Sequence, residues 1–369
     1  MDKLVQGIDR VYIHKSSLNS SVVERFFRLF PREKIETIED QPNTKSRGAL
    51  SAREFDQSKR QVLITEFQGQ FFKQCPGFKP GLICCNYFVL NLGLQCNMNC
   101  SYCYLQSYIN SPYMTIYSNI DAAISQMREL AEKYPDKAFR VGTGETIDSL
   151  SLDPLTLYSR HLISFFNEFP KWTLELKTKS DHVDQFLDVN PAGNTVVSWS
   201  INPQNIITHE EHGTASLEER LSAARKCRDK GYQVGFHIDP MIWHPGWKKN
   251  YSDLVNEVAK RFRPNEVAHI SLGALRFVAE QKDIMRERFG MKSFVTNAEM
   301  FPSKDGKLRY DGKLRADMFD TLLTLFREDS PEWKVLLCME TPETWIARLD
   351  TNPRHVREIR EFFQPLPRS

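Results

Sequence analysis

Six short apolar runs through the middle of the chain constrain its fold more than any other feature. They are Tyr87–Leu92, Ala138–Val141, Thr173–Leu176, Thr195–Ile201, Gln233–Ile238 and Val267–Leu272. Segments with helical periodicity lie between them, at Asp121–Lys133, Leu155–Phe166, Ser216–Lys230 and Tyr251–Phe262. In the third of these Ser216 stands at the cap position, Glu218 and Glu219 occupy the first turn, and Gly231 follows the end, an arrangement that starts and stops a helix. Strands alternating with helices build βαβ units around a parallel sheet. The expected core is a partial (β/α)6 barrel over residues 86–300, with an N-terminal α/β extension over 1–85 and a hairpin and helical extension over 301–369. In the first extension Val11–Ile13 and Gln61–Thr65 read as strands, Ser21–Leu29 as a helix, and Gln41–Ser51, with Pro42 and Gly48, as a loop. In the second, Asp305-Gly306 predicts a hairpin turn ahead of a helix at Ala316–Arg327.

Just after the first apolar run stand Cys96, Cys100 and Cys103, in Leu94-Gln-Cys-Asn-Met-Asn-Cys-Ser-Tyr-Cys-Tyr-Leu-Gln106. That position is the C-terminal edge of the barrel, where parallel α/β folds place their chemistry. Three thiolates so close in sequence can hold three irons of a [4Fe–4S] cluster. The fourth iron is then open to a small molecule, as the open position of a catalytic metal is. Zinc usually takes a second C-x2-C-like pair, and none lies nearby. No apolar run approaches the roughly 18–20 residues that a membrane helix needs, and Met1-Asp-Lys-Leu is not a signal peptide. The expectation is a cytoplasmic protein whose eight cysteines are thiols or metal ligands rather than disulfides. With 49 basic against 47 acidic residues, any DNA-binding face has to be a local patch.

The cysteine spacing resembles that of the radical S-adenosylmethionine (SAM) superfamily. The resemblance implies that the open iron binds the amino and carboxylate groups of SAM, and that reduction yields a 5′-deoxyadenosyl radical. Four stretches further resemble the spore photoproduct lyase family, which repairs a thymine dimer in UV-damaged spore DNA. They are Ser101-Tyr-Cys-Tyr-Leu-Gln106, Thr178-Lys-Ser-Asp-His-Val-Asp184, Ser200-Ile-Asn202, and Gly235-Phe-His-Ile-Asp-Pro240 with His244-Pro-Gly-Trp247; Val11–Ile13 and Arg309-Tyr310 add weaker likeness. By that resemblance Tyr102 and Tyr104 relay a hydrogen atom, Lys179 meets the SAM carboxylate and Ser200 hydrogen-bonds SAM. It also implies a DNA or nucleotide substrate and a one-electron reductant such as flavodoxin or ferredoxin. One departure matters. Where the family has the cysteine that quenches the product radical, this chain has Glu145, in Arg140-Val-Gly-Thr-Gly-Glu145. Gly142–Glu145 instead resembles the Gly-Gly-Glu element of radical SAM enzymes, whose carboxylate accepts from the SAM ammonium.

Several groups carry more than one reading. Cys75, Cys84, Cys85 and Cys338 suit an auxiliary cluster, a zinc site, a substitute hydrogen donor or plain buried thiols; Cys227 reads as core or surface. His237 and Asp239 lie two apart on a strand and so share a face with possible acid–base use, alongside His244. Trp247 either packs or stacks on a base. Lys304, Lys307, Arg309, Tyr310, Lys313 and Arg315 would let a hairpin follow a phosphate backbone, diluted by Asp305, Asp311 and Asp317. The functional readings are accordingly a DNA photoproduct lyase, a radical SAM enzyme acting on another nucleoside, modified base or peptide, and a non-catalytic iron–sulfur nucleic-acid-binding protein.

Overall fold

The computed structural model describes residues 2–40, 50–76, 81–83 and 87–349. Its main sheet runs Phe72–Gln74 (β1), Tyr87–Leu90 (β2), Arg140–Gly142 (β3), Thr173–Thr178 (β4), Thr195–Ser200 (β5), Gln233–Met241 (β6), Val267–Ala274 (β7) and Val335–Leu337 (β8), side by side in chain order. β1 is antiparallel to β2 and every other pair is parallel. Helices Ile120–Lys133 (α1), Tyr158–Asn167 (α2), Leu217–Asp229 (α3), Trp247–Arg261 (α4) and Gly312–Asp329 (α5) carry the chain between strands. The sheet curls into a half-barrel.

Strand alternation divides that sheet into an apolar outer face and a polar inner one. Leu174, Leu176, Val197, Trp199, Phe236, Ile238, Ile270 and Leu272 lie on the outer face and are all buried. Each such side chain contributes on the order of 1.5–3 kcal/mol of transfer free energy. The register aligns Glu175 with Val196, Lys177 with Ser198, Ser200 with His237 and His237 with Ser271. Side chains paired across parallel strands share a face, so the inside of the half-barrel is lined with polar and ionisable groups. An interior of that kind is a site rather than a core.

All six apolar runs form strands, and two further strands flank them. β1 and β8 come from the segments expected to be extensions, so the sheet is wider than a six-unit barrel. Both strands are only three residues long, and Phe72-Lys-Gln74 carries no apolar pattern. The Leu155–Phe166 segment divides into Asp153–Thr156 and α2 where Leu157 takes φ +57°. α5 begins ahead of its expected start because the Asp311 side chain accepts from Lys313 N and caps it. The hairpin forms between Met300–Pro302 and Leu308–Tyr310, with Gly306 at φ +79° in its turn. Most of the expected loop at Gln41–Ser51 lies outside the described residues. No helix among the described residues is long and apolar enough to cross a membrane.

Ahead of the barrel a second sheet orders Ile35–Ile38, Arg10–His14, Gln61–Thr65, Met114–Tyr117 and Gly93–Leu94, parallel except for the last pair. Its final strand follows β2 almost directly, and Tyr117 N donates to Leu92 O at 3.1 Å. The segment with the three thiols therefore starts where the two sheets meet. On the inner face, Tyr87 lies across Gly142, and a Cβ built there would stand 1.5 Å from the phenolic oxygen. Gly142→Ala is expected to cost about 1–3 kcal/mol by overpacking, read as a lowered thermal midpoint. Gly7→Ala, where nothing lies within 4 Å, is the control.

Candidate active site

The loop that carries the three cysteines is pinned from both ends. Gln95, immediately before Cys96, is fully buried at φ +70°, a conformation that costs a non-glycine residue on the order of 1–3 kcal/mol. Its backbone N–H donates to Thr146 O at 2.7 Å, and its side chain pairs with Ser58 Oγ. Lys59 Nζ donates to Cys96 O at 3.0 Å and to Met98 O at 2.6 Å. Farther on, Ser101 Oγ donates to the buried Glu210, which also accepts from Ser293 Oγ at 2.8 Å and Phe294 N at 2.7 Å.

The three thiols lie within electrostatic reach of one another, and burial pushes the Cys96 and Cys100 thiols up. A desolvated thiol gives up its proton when a metal charge replaces it, so the loop suits an iron cluster better than free thiolates. Lys179 lies within electrostatic reach of Cys100, its Nζ 5.7 Å from the Tyr102 ring centre. Burial works against its ammonium, but Cys100 and Glu211 outweigh that and leave its pKa raised. Asp148 fixes this strand end, accepting from Thr178 Oγ1 at 2.6 Å and Lys179 N at 2.8 Å. Ser200 is buried at the end of β5, and its carbonyl accepts from Arg220 Nη1 at 2.8 Å.

Tyr102 and Tyr104 part ways. The Tyr102 hydroxyl donates to Glu211 Oε1 at 2.5 Å, and Asn202 Nδ2 donates to the same oxygen at 2.9 Å. Glu211 in turn pairs with Arg220 at 2.7 Å, both side chains fully buried. The Tyr104 ring is 47% exposed and its hydroxyl donates to Glu145 O at 2.8 Å. Its pKa is raised, first by burial of the phenol, then by Glu145, Cys103 and, more weakly, Cys75. The Glu145 carboxylate faces Lys73 of β1 at 3.1 Å.

On the inner face His237 Nε2 lies 2.7 Å from Glu175 Oε1. Asp239 pairs with Arg276 at 3.0 Å, and Arg276 also reaches Cys338 Sγ at 3.5 Å. His244 turns away, with Nδ1 2.9 Å from Ile242 O and Nε2 2.9 Å from Asn250 Nδ2, and it is structural. Trp247 is buried in the first turn of α4 and packs. Cys227 is core, and Cys84 and Cys85 fall outside the described residues. The hairpin does not offer the basic row that its sequence suggests. Arg309 is buried between Asp305 and Glu340, Arg315 pairs with Glu340, and the Tyr310 hydroxyl accepts from Trp243 N at 3.0 Å inside the core. Of the remaining cations, Lys304 and Lys313 are exposed and Lys307 half-buried.

Sequence reasoning missed Glu210, Glu211, Arg220, Asp148 and Gln95. The adjacent carboxylates of Glu210-Glu211 just beyond β5 were the available signal.

A parallel half-barrel that gathers three thiols at the C-terminal end of its first parallel strand, beside a lysine fit for a carboxylate, defines the chain as a radical SAM protein. The cofactors of that class are a [4Fe–4S] cluster and SAM, and the three clustered thiols and Lys179 fit them. A family model described as spore photoproduct lyase matches residues 8–317, and the chain belongs to that family. It is 31% identical over 205 residues to a Geobacillus spore photoproduct lyase, covering 55% of this chain and 60% of that one. A Clostridium acetobutylicum spore photoproduct lyase is 26% identical over 315 residues, 84% of this chain and 91% of the relative. Among solved structures, a spore photoproduct lyase mutant with bound AdoMet and dinucleoside spore photoproduct superposes with a TM-score of 0.76 at 25% identity, covering 89% of this chain and 98% of that one.

Two outcomes are expected from the buried charges. Arg220→Met strands Glu211 and is expected to cost about 3–5 kcal/mol, measured by denaturant titration. Burial and then Lys177 hold His237 down to about 3, against the pull of Glu175. Between that value and an unfolded value of roughly 6.5 the unfolded chain binds the extra proton, so stability is full above about pH 6.5 and falls with pH below it. Melting curves at pH 7 and pH 5 are expected to show a smaller decline for His237→Asn than for the wild type.

Proposed function

We propose that this protein is a radical SAM lyase that reverses a thymine photoproduct in DNA. The observation that carries the reading is Tyr104. A half-exposed tyrosine next to a cluster cysteine, hydrogen-bonded to the Glu145 carbonyl and within electrostatic reach of Cys75, suits passing a hydrogen atom between a thiol and the barrel interior. The bound cluster and SAM supply a 5′-deoxyadenosyl radical on one-electron reduction. Cys96, Cys100 and Cys103 hold the cluster, while Lys179 meets the SAM carboxylate and Ser200 adds a hydrogen bond. Glu145, already drawn toward Lys73, accepts from the SAM ammonium. Tyr102 orients rather than relays, because its hydroxyl donates to the charged, ion-paired carboxylate of Glu211, whereas that of Tyr104 meets only a neutral carbonyl. A one-electron carrier of the flavodoxin or ferredoxin kind supplies the electron.

A carboxylate at position 145 has no hydrogen atom to give, and Cys75 takes that task. It follows β1, and its backbone N–H donates to Tyr87 O at 3.0 Å, which places it opposite an inward-facing residue. Cys75 S–H gives its hydrogen to the repaired thymine radical and becomes a thiyl; the phenolic hydrogen of Tyr104 restores the thiol, and the tyrosyl radical left behind takes an electron from the one-electron carrier and a proton from solvent to regain its O–H.

The test is anaerobic incubation of the reconstituted, reduced protein with SAM and a dinucleotide spore photoproduct, with thymidine dinucleotide and 5′-deoxyadenosine quantified. Both are expected from the wild type. Deoxyadenosine without repair would redirect the search to another substrate, and neither product from a cluster-loaded protein would sink the catalytic reading. Cys75→Ser is expected to keep SAM cleavage and lose clean repair; unchanged repair would move the donor to another thiol, such as Cys338. Lys179→Met is expected to weaken SAM binding by roughly 10- to 100-fold, in line with the ~1.5–3 kcal/mol of a hydrogen bond to a charged group, read by equilibrium binding.

A further inference from the structure

Inside the half-barrel one cluster carries more ligand chemistry than the proposed reaction uses. Glu175 on β4, His237 on β6 and His269 on β7 are all at least nine-tenths buried. His237 Nε2 lies 2.7 Å from Glu175 Oε1, His269 Nε2 lies 3.4 Å from the same oxygen, and the two Nε2 atoms are 3.4 Å apart. Among the described residues this is the one group of three whose candidate ligand atoms all lie within 4.8 Å of one another. Ligands held at about 2.0–2.1 Å around a tetrahedral zinc stand roughly 3.3–3.4 Å apart, and two of the three edges match. Ser198 Oγ also points at Oε1, from 2.8 Å.

Three polar atoms therefore crowd one carboxylate oxygen. The other oxygen is taken by Arg140, whose guanidinium lies 4.9 Å from the Tyr87 ring centre. Metal sites divide a carboxylate in this way, one oxygen for the ion and one fixed by an outer-shell donor. Arg140 Nη2 also lies 3.4 Å from His269 Nε2, and a bound ion would take that nitrogen's lone pair in the guanidinium's place. Burial favours the neutral imidazole, the form that binds metal.

We propose that Glu175, His237 and His269 bind one divalent ion of the zinc class inside the half-barrel. Two imidazoles and a carboxylate suit zinc, and they are distinct in kind from the thiolates that hold iron–sulfur clusters. Three protein ligands leave a fourth position open. Arg140 and Lys177 stand close by and work against a bare dication, so that position takes an anion or hydroxide; water on zinc ionises near neutral pH. The site does not depend on what the enzyme repairs.

Elemental analysis decides the matter. Anaerobically purified protein, reconstituted with iron and sulfide, is given zinc sulfate and desalted. About one zinc per chain is expected beside the cluster iron. His237→Asn, His269→Asn and Glu175→Gln are each expected to lower retained zinc at least tenfold while iron content and cluster absorption persist. Zinc-edge X-ray absorption of the wild type gives a reading that does not depend on any variant folding, and a first shell of nitrogen and oxygen alone is expected. Sulfur in that shell would assign the ion to the cysteines and overturn the proposal. So would zinc retained by all three variants, or a wild type that holds none.

Discussion

The ion pair between Glu211 and Arg220 is the joint on which the candidate site depends. Neither side chain touches solvent, so each is tolerable only because of the other. Through it, α3 is tied to the end of β5, where the Arg220 guanidinium also holds Ser200 O. Glu211 in turn fixes the hydroxyl of Tyr102, between two cluster cysteines, and lies within electrostatic reach of Lys179. One buried charge pair thus sets the spacing between the cysteine loop and the barrel strands that face it.

The rest of the loop is held by its neighbours rather than by its own backbone. Gln95 sits in an unfavourable conformation, and Lys59, from the N-terminal portion, grips two carbonyls of the loop. Glu210 satisfies the far side through Ser101 and Ser293. The N-terminal sheet is therefore part of the active-site scaffold and not an appendage. Shaping the loop before any metal arrives lowers the ordering that cluster assembly must complete.

Much of this was legible in the residues. Alternation of apolar runs with helical segments gave the half-barrel, and the three cysteines placed the chemistry at its edge. Short elements were harder: Phe72–Gln74 and Val335–Leu337 owe their strand form to the neighbours they pair with, which no local pattern reveals. The hairpin shows the opposite failure. Its charges were visible, but Arg309 and Arg315 are spent on Asp305 and Glu340, partners that only the fold brings near. His269 gave no sign, because its meeting with Glu175 and His237 spans three strands.

The antiparallel edge strand β1 brings together two things the chemistry keeps apart. Lys73 lies opposite Val89 in the register, and Cys75, two residues on, falls on the same inward face. The strand whose Lys73 pairs with Glu145 thus runs directly into the thiol. Because it is held by a ladder of three residues at the rim of the sheet, it is the part of the barrel that frays most easily. On the role proposed for Cys75, loosening of that rim would uncouple the generation of a radical from its safe termination, leaving an enzyme that starts turnovers it cannot finish.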